Sequence, residues 1–187
     1  MIDLLDTHQH LIYRNQASYS WTKDVPLLAN GDFGINEYKK LTQDLGVCGS
    51  LFMETGVDDE YYQKETRFVK SLMKDSSNGI KGIIASIRPE DNKNFDKWLE
   101  ETLYMNVAGF RRMLNIIPKE ISESSLFRNN VKKIGNAGKP FDIHYVSSQL
   151  SDALNFVTDC ENMYLILNHC GVPNISKDEF DPWCKNI

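Results

Sequence analysis

Four histidines, His8, His10, His144 and His169, are the residues best able to do chemistry in this chain of 187. Each lies in or just beyond an apolar run that reads as a strand, and none lies on a helical pattern. His8 and His10 sit two apart in Asp6-Thr7-His8-Gln9-His10, and residues i and i+2 of a strand point to one face. Asp6, His8 and His10 therefore stack on one side if the strand stays extended. Two neutral imidazoles so spaced can clasp a divalent ion, and a nearby carboxylate can orient them. A single histidine such as His144 or His169 is more commonly a hydrogen-bonded structural residue. Their joint placement past the ends of separate strands is what points to a shared metal or catalytic site.

Arg111 and Arg112, in Gly109-Phe110-Arg111-Arg112-Met113, could place one guanidinium over such a site to hold a carboxylate or a polarised oxygen. Neighbours on a strand face opposite ways, so at most one of the two points inward, and Arg111 is the choice. The other reading is a pair of ordinary ion-pair partners. Glu54 ends a strand and reads as solvated unless it faces the pocket. Cys170 follows His169, but adjacent strand residues diverge, so it is read as packing. No nucleophile elbow, phosphate loop or dinucleotide fingerprint occurs.

The elements that must position these residues alternate along the chain. Strands are expected at Ile2–Thr7, Val47–Met53, Ile80–Ile87, Ala108–Leu114, Pro140–Val146 and Met163–Asn168. Most are continuous Ile, Leu and Val runs, as in parallel strands covered by helices. Amphipathic helices fall between them, marked by Ile35, Tyr38, Leu41 and Leu45, then by Tyr61, Glu65, Phe68, Leu72 and Met73 behind an Asp58 N-cap. Further helices follow at Phe95 to Leu103, Leu126 to Ile134 and Leu150 to Val157. This alternation means βα units in one domain. The stretch from Leu11 to Gly34 is long for a βα connection. It reads either as a lid or binding loop, or as a surface excursion anchored at Trp21.

Composition narrows the partners. There are 21 Lys and Arg against 26 Asp and Glu, a formal charge of −5, which argues against nucleic acid and gives no pull toward an anionic membrane. No apolar run approaches the roughly 18 residues that span a bilayer, and the N-terminus lacks a signal-peptide pattern. Four scattered cysteines read as reduced, partly buried thiols. The expected location is the cytoplasm.

Read together, Asp6-Thr7-His8-Gln9-His10, Tyr19-Ser20-Trp21, Ala108-Gly109-Phe110-Arg111, Phe141-Asp142, Gln149-Leu150 and His169-Cys170-Gly171-Val172-Pro173 resemble the amidohydrolase superfamily. The nearest branch is the amidohydrolase-related (type 2) group of sugar-acid lactonases, similar to fuconolactonases and pyrone-dicarboxylate lactonases. The resemblance implies an α/β fold of TIM (β/α)8-barrel type with its site at the strand C-termini. It implies His8 and His10 on a metal or substrate, His169 at the scissile carbonyl, and Arg111 on a substrate oxygen. Three departures stand out. Asn168-His169 replaces the usual Asp-His. His144 occupies a strand-five position that varies, as a broad-superfamily ligand, catalytic residue or bystander. The carboxylate at the end of strand eight has no counterpart, because only about six βα units are present.

A full barrel takes about 250 residues, so the chain is expected to be part of a longer enzyme. The rival expectations are a truncated product pairing its open strand edges with a second copy, and a smaller α/β sandwich. The expected function is a metal-assisted hydrolase of a small carboxylated or hydroxylated lactone. One divalent ion would serve, with zinc the first choice for histidine ligands and manganese or iron also admitted. Metal-independent lactone hydrolysis, a non-oxidative decarboxylase and a non-catalytic binding barrel are the alternatives.

Overall fold

A computed structural model describes residues 3–177 and 180–187. Ile2, where the first strand was expected to begin, and Asp178 lie outside the described residues. The chain divides into two compact units, Met1–Ser86 with Tyr104–Ala108, and Ile87–Leu103 with Gly109–Ile187.

The first unit holds β1 (Leu4–Gln9), α1 (Ile35–Thr42), β2 (Val47–Met53), α2 (Tyr62–Leu72) and β3 (Ile80–Ser86). β1 pairs with β2, and β2 with β3, all parallel. β3 is buried at every position but Lys81, the pattern of a parallel strand covered on both faces. α1 gives way to a turn, and Gly46 follows with φ 74°, a left-handed angle that glycine adopts without a Cβ penalty. On β1, Leu4 and Leu5 remain about half exposed.

The second unit holds α3 (Phe95–Tyr104), β4 (Gly109–Met113), α4 (Lys119–Glu123), α5 (Ser125–Asn136), β5 (Phe141–His144), α6 (Leu150–Asp159), β6 (Leu165–Leu167) and α7 (Phe180–Asn186). β4, β5 and β6 are parallel neighbours in chain order. In α5, Phe127, Val131 and Ile134 recur at i, i+4 and i+7 and are fully buried, so one face of the helix is apolar. The Ser124 hydroxyl caps this helix by accepting from the Phe127 N–H at 3.2 Å. The Phe156 ring of α6 stacks on Phe141 of β5 at 6.1 Å and meets Phe127 edge-on at 6.2 Å. Offset and edge-on aromatic contacts of this kind add to the area they bury.

Several expectations change. Asp58 does not cap a helix: its carboxylate accepts from the Ser20 N–H at 3.1 Å and the Ser20 hydroxyl at 2.8 Å, so it ties down the long loop. The short α4 had no periodic signal. Of the four cysteines only Cys160 is buried, and Cys48, Cys170 and Cys184 are exposed thiols. Leu11–Gly34 is folded upon itself. Ile12 and Phe33 form a two-way backbone bridge. The Arg14 guanidinium donates to the Gly31 carbonyl at 2.9 Å, the Thr22 hydroxyl at 2.8 Å and the Leu28 carbonyl. Ile12, Ala17, Tyr19 and Val57 form a small core beneath it. Trp21 anchors the segment by donating its indole N–H to the Thr55 carbonyl at 3.0 Å.

Phe156 carries the core of the second unit, so Phe156→Ala is expected to cost about 3–5 kcal/mol. Asn155→Ala on the exposed face of the same helix stays within about 0.5 kcal/mol. Urea unfolding of the two variants checks the contrast.

Candidate functional site

In the first unit, β1 carries His8 half-buried and Gln9 buried, and His10 follows the strand directly. The His8 and His10 rings lie 4.9 Å apart between centroids, at 82° to each other. His10 Nδ1 is 3.0 Å from the carbonyl oxygen of Met53, the last residue of β2. A carbonyl only accepts, so Nδ1 carries a proton, and in the neutral imidazole Nε2 is the nitrogen with the lone pair. A backbone carbonyl that fixes the tautomer in this way is the usual support of a metal-binding imidazole.

Asp6 is used differently from the expectation that it would orient the imidazoles. Its carboxylate accepts from the His8 backbone N–H at 2.9 Å and the Tyr38 hydroxyl at 2.7 Å. It therefore ties β1 to α1, and burial together with this bond pushes the Tyr38 phenol pKa up. Glu54 is not solvated: it is 2% exposed, and its Oε2 accepts from the Gly56 N–H at 3.0 Å. Glu65 of α2 is also buried, and its Oε1 accepts from the Thr55 N–H at 3.2 Å.

Among the described residues no group of three His, Cys, Asp or Glu gathers around a single metal position. The His8–His10 pair fits a divalent ion in donor type, and His10 also in tautomer. It would supply two of the ligands such an ion takes.

In the second unit β4 places Arg111 and Arg112 on opposite faces, and both are buried. Arg112 forms an ion pair with Glu90 at 2.5 Å. Arg111 Nη1 donates to the Asn168 side-chain oxygen at 3.3 Å, and the Asn168 amide donates to Asp142 Oδ2 at 2.7 Å. His144, the end of β5, brings its ring within 5.3 Å of His169. His169, Cys170, Gly171 and Val172 all have positive φ, at 52°, 52°, 72° and 47°. For a residue other than glycine that conformation costs about 1–2 kcal/mol. A Cβ at Gly171 would come 2.8 Å from the end of the Leu150 side chain, which would have to shift, on a backbone already at a strained angle for any other residue. The turn is further held by the Trp183 indole, which donates to the Cys170 carbonyl at 2.7 Å. Cys170 itself is exposed: the turn, and not strand packing, decides where its thiol goes. Glu65 and Trp183 were missed as positioning residues. An acid on the apolar face of a helix was the available signal for Glu65.

The family model described as Amidohydrolase matches residues 5–187. The chain belongs to the amidohydrolase family. Protein y4mH of Sinorhizobium fredii (strain NBRC 101917 / NGR234), itself uncharacterised, is 22% identical over 98% of this amidohydrolase chain and 67% of its own length. The crystal structure of an amidohydrolase from Burkholderia multivorans with bound zinc matches with TM-score 0.81 and 18% identity, over 99% of this chain and 64% of that one. A probable 2-pyrone-4,6-dicarboxylic acid hydrolase from Acinetobacter baumannii with bound citric acid gives TM-score 0.71 and 10% identity, over 100% of this chain and 67% of that one. The amidohydrolase chain thus spans about two thirds of the length of these relatives. The fold class is α/β of the barrel type, with six parallel strands present.

Burial holds the His169 pKa below 6.5, and the Arg111 charge adds to the effect. Because the folded value lies below the unfolded one, the unfolded chain binds more protons between the two. The stability contributed by neutral His169 is complete above pH 6.5 and is lost as pH falls through the folded value. Imidazole NMR is expected to show His169 titrating below 6.5, and Arg111→Gln is expected to move that midpoint upward.

Proposed function

We propose that this amidohydrolase-family protein is a metal-assisted hydrolase of a small lactone that carries a carboxylate or hydroxyl groups. The observation that supports this most is the His8–His10 pair with the His10 tautomer set by the Met53 carbonyl. The bound zinc of the Burkholderia multivorans neighbour and the dicarboxylic acid hydrolase reading of the Acinetobacter baumannii neighbour point the same way.

His8 and His10 would hold the ion, which supplies Lewis-acid polarisation of the ester carbonyl. Arg111 binds the substrate carboxylate, the anion its planar fork matches best. His169, kept neutral by burial and by Arg111, presents an N–H to the oxygen on which negative charge develops. His144 packs against the His169 ring and restricts where that N–H can point.

Metal analysis of the purified protein should give about one divalent ion per chain, lost in the His8→Ala/His10→Ala variant. A panel of carboxylated and neutral lactones followed by acid release should show turnover that chelation removes. Arg111→Met should raise KM for a carboxylated lactone about tenfold or more, the value of a charged hydrogen bond, and leave a neutral lactone nearly unchanged. Full metal retention without the two histidines would sink the metal assignment. Carbon dioxide evolution from an aromatic or pyrone carboxylate, with no acid release from any lactone, would replace hydrolysis by decarboxylation.

A further inference from the structure

Arg111 and Asp142 are direct register partners on the parallel strands β4 and β5. Asn168, just beyond β6, reaches both. Its amide nitrogen donates to Asp142 Oδ2 at 2.7 Å and its oxygen accepts from Arg111 Nη1 at 3.3 Å. All three residues are buried, at 3% exposure for Arg111 and Asp142 and 4% for Asn168. We propose that Asp142 is a positioning residue for Arg111, acting through the side-chain amide of Asn168.

The argument is one of donors and acceptors. A guanidinium only donates and a carboxylate only accepts, so an amide between them can bond to both in one orientation only. A flip would set oxygen against oxygen and nitrogen against nitrogen, breaking both bonds in a site too buried for water to replace them cheaply. The carboxylate thus fixes the amide, and the amide oxygen fixes the guanidinium. The same chemistry accounts for the asparagine at position 168. A second carboxylate there would face Asp142 at hydrogen-bond distance, and the two could share the space only by holding a proton between them. The amide leaves the negative charge on Asp142 of β5 alone.

This relay depends on the hydrolase reading for what Arg111 binds, but not for its own existence. The test compares the wild type, Asp142→Asn, Asn168→Asp and the exchange D142N/N168D, using arginine side-chain nitrogen NMR and the KM for a carboxylated lactone. The Arg111 resonance is assigned by its loss in Arg111→Lys. In the wild type the Arg111 Nη signals should be resolved, showing a guanidinium held against rotation. D142N should let the amide sample both orientations, merge those signals and raise KM about tenfold, with kcat little changed. The exchange variant, which again places one amide beside one carboxylate, should restore the resolved signals and bring KM back to within about threefold.

Resolved Arg111 signals in folded D142N, or an exchange variant that folds without restoring them, overturns the proposal. N168D as stable as the wild type at pH 7, with no proton taken up, overturns it as well. If D142N does not fold, the exchange variant decides. Failure of both to fold assigns Asp142 to strand pairing alone and overturns the proposal. A wild type that hydrolyses no lactone would count against the hydrolase reading and leave the relay to the arginine signals.

Discussion

A parallel strand cannot be followed by its neighbour through a hairpin. The chain must cross over, here by a helix, before it starts the next strand. Every strand of a unit therefore finishes at the same edge, and the residues just past those finishes are the ones that can be brought together. In the first unit they are His10 after β1 and Glu54 after β2. In the second they are His144 at the end of β5, with Asn168 and His169 after β6. No α-helix supplies one of these side chains. The helices cover the strands and leave the polar edge to the loops, as the burial of β3 and the apolar face of α5 show.

Buried polar groups near these strand ends in each unit need partners. Glu54 takes an N–H from its own turn, Glu65 reaches across from α2 to Thr55, and Arg112 finds Glu90. The long loop obeys the same rule, with Arg14 collecting a carbonyl, a hydroxyl and a second carbonyl from residues 8 to 17 positions further on. Buried polar networks of this kind add little net stability over an apolar packing. They do restrict the side chains to one arrangement, which a binding site needs more than it needs stability.

What the sequence made legible follows the range over which each feature is determined. β2 falls where its apolar run predicts, at both ends, because burial on both faces leaves no ambiguity of period. The histidines past strand ends were legible because strand direction and a period of two are local. The partners were not. His10 is paired with a carbonyl 43 residues away, Asp6 with a hydroxyl 32 away and Arg111 with an amide 57 away. Nothing local distinguishes an Asp58 that caps a helix from one that bonds Ser20, 38 residues earlier. The exposure of Cys170 was misread for a different reason. Strand alternation was extended past the point where the backbone abandons it.

That abandonment is the least expected feature of the second unit, and the geometry gives it a purpose. Asp142 and His144 are two apart on β5 and so face the same way. Asn168 reaches the first of them and His169 the second. An extended backbone cannot do this, because adjacent strand residues point to opposite faces. Turning left-handed at His169 removes the alternation and swings the imidazole round to the face that Asn168 already occupies. Two non-glycine residues besides His169 adopt the same disfavoured φ, so the turn is a cost of several kcal/mol carried by its surroundings. Those surroundings are the two hydrogen bonds of Asn168 at one end and the Trp183 indole on the Cys170 carbonyl at the other. Strain held this way by several independent contacts is the pattern found where a side chain must be aimed, and the side chain aimed here is His169.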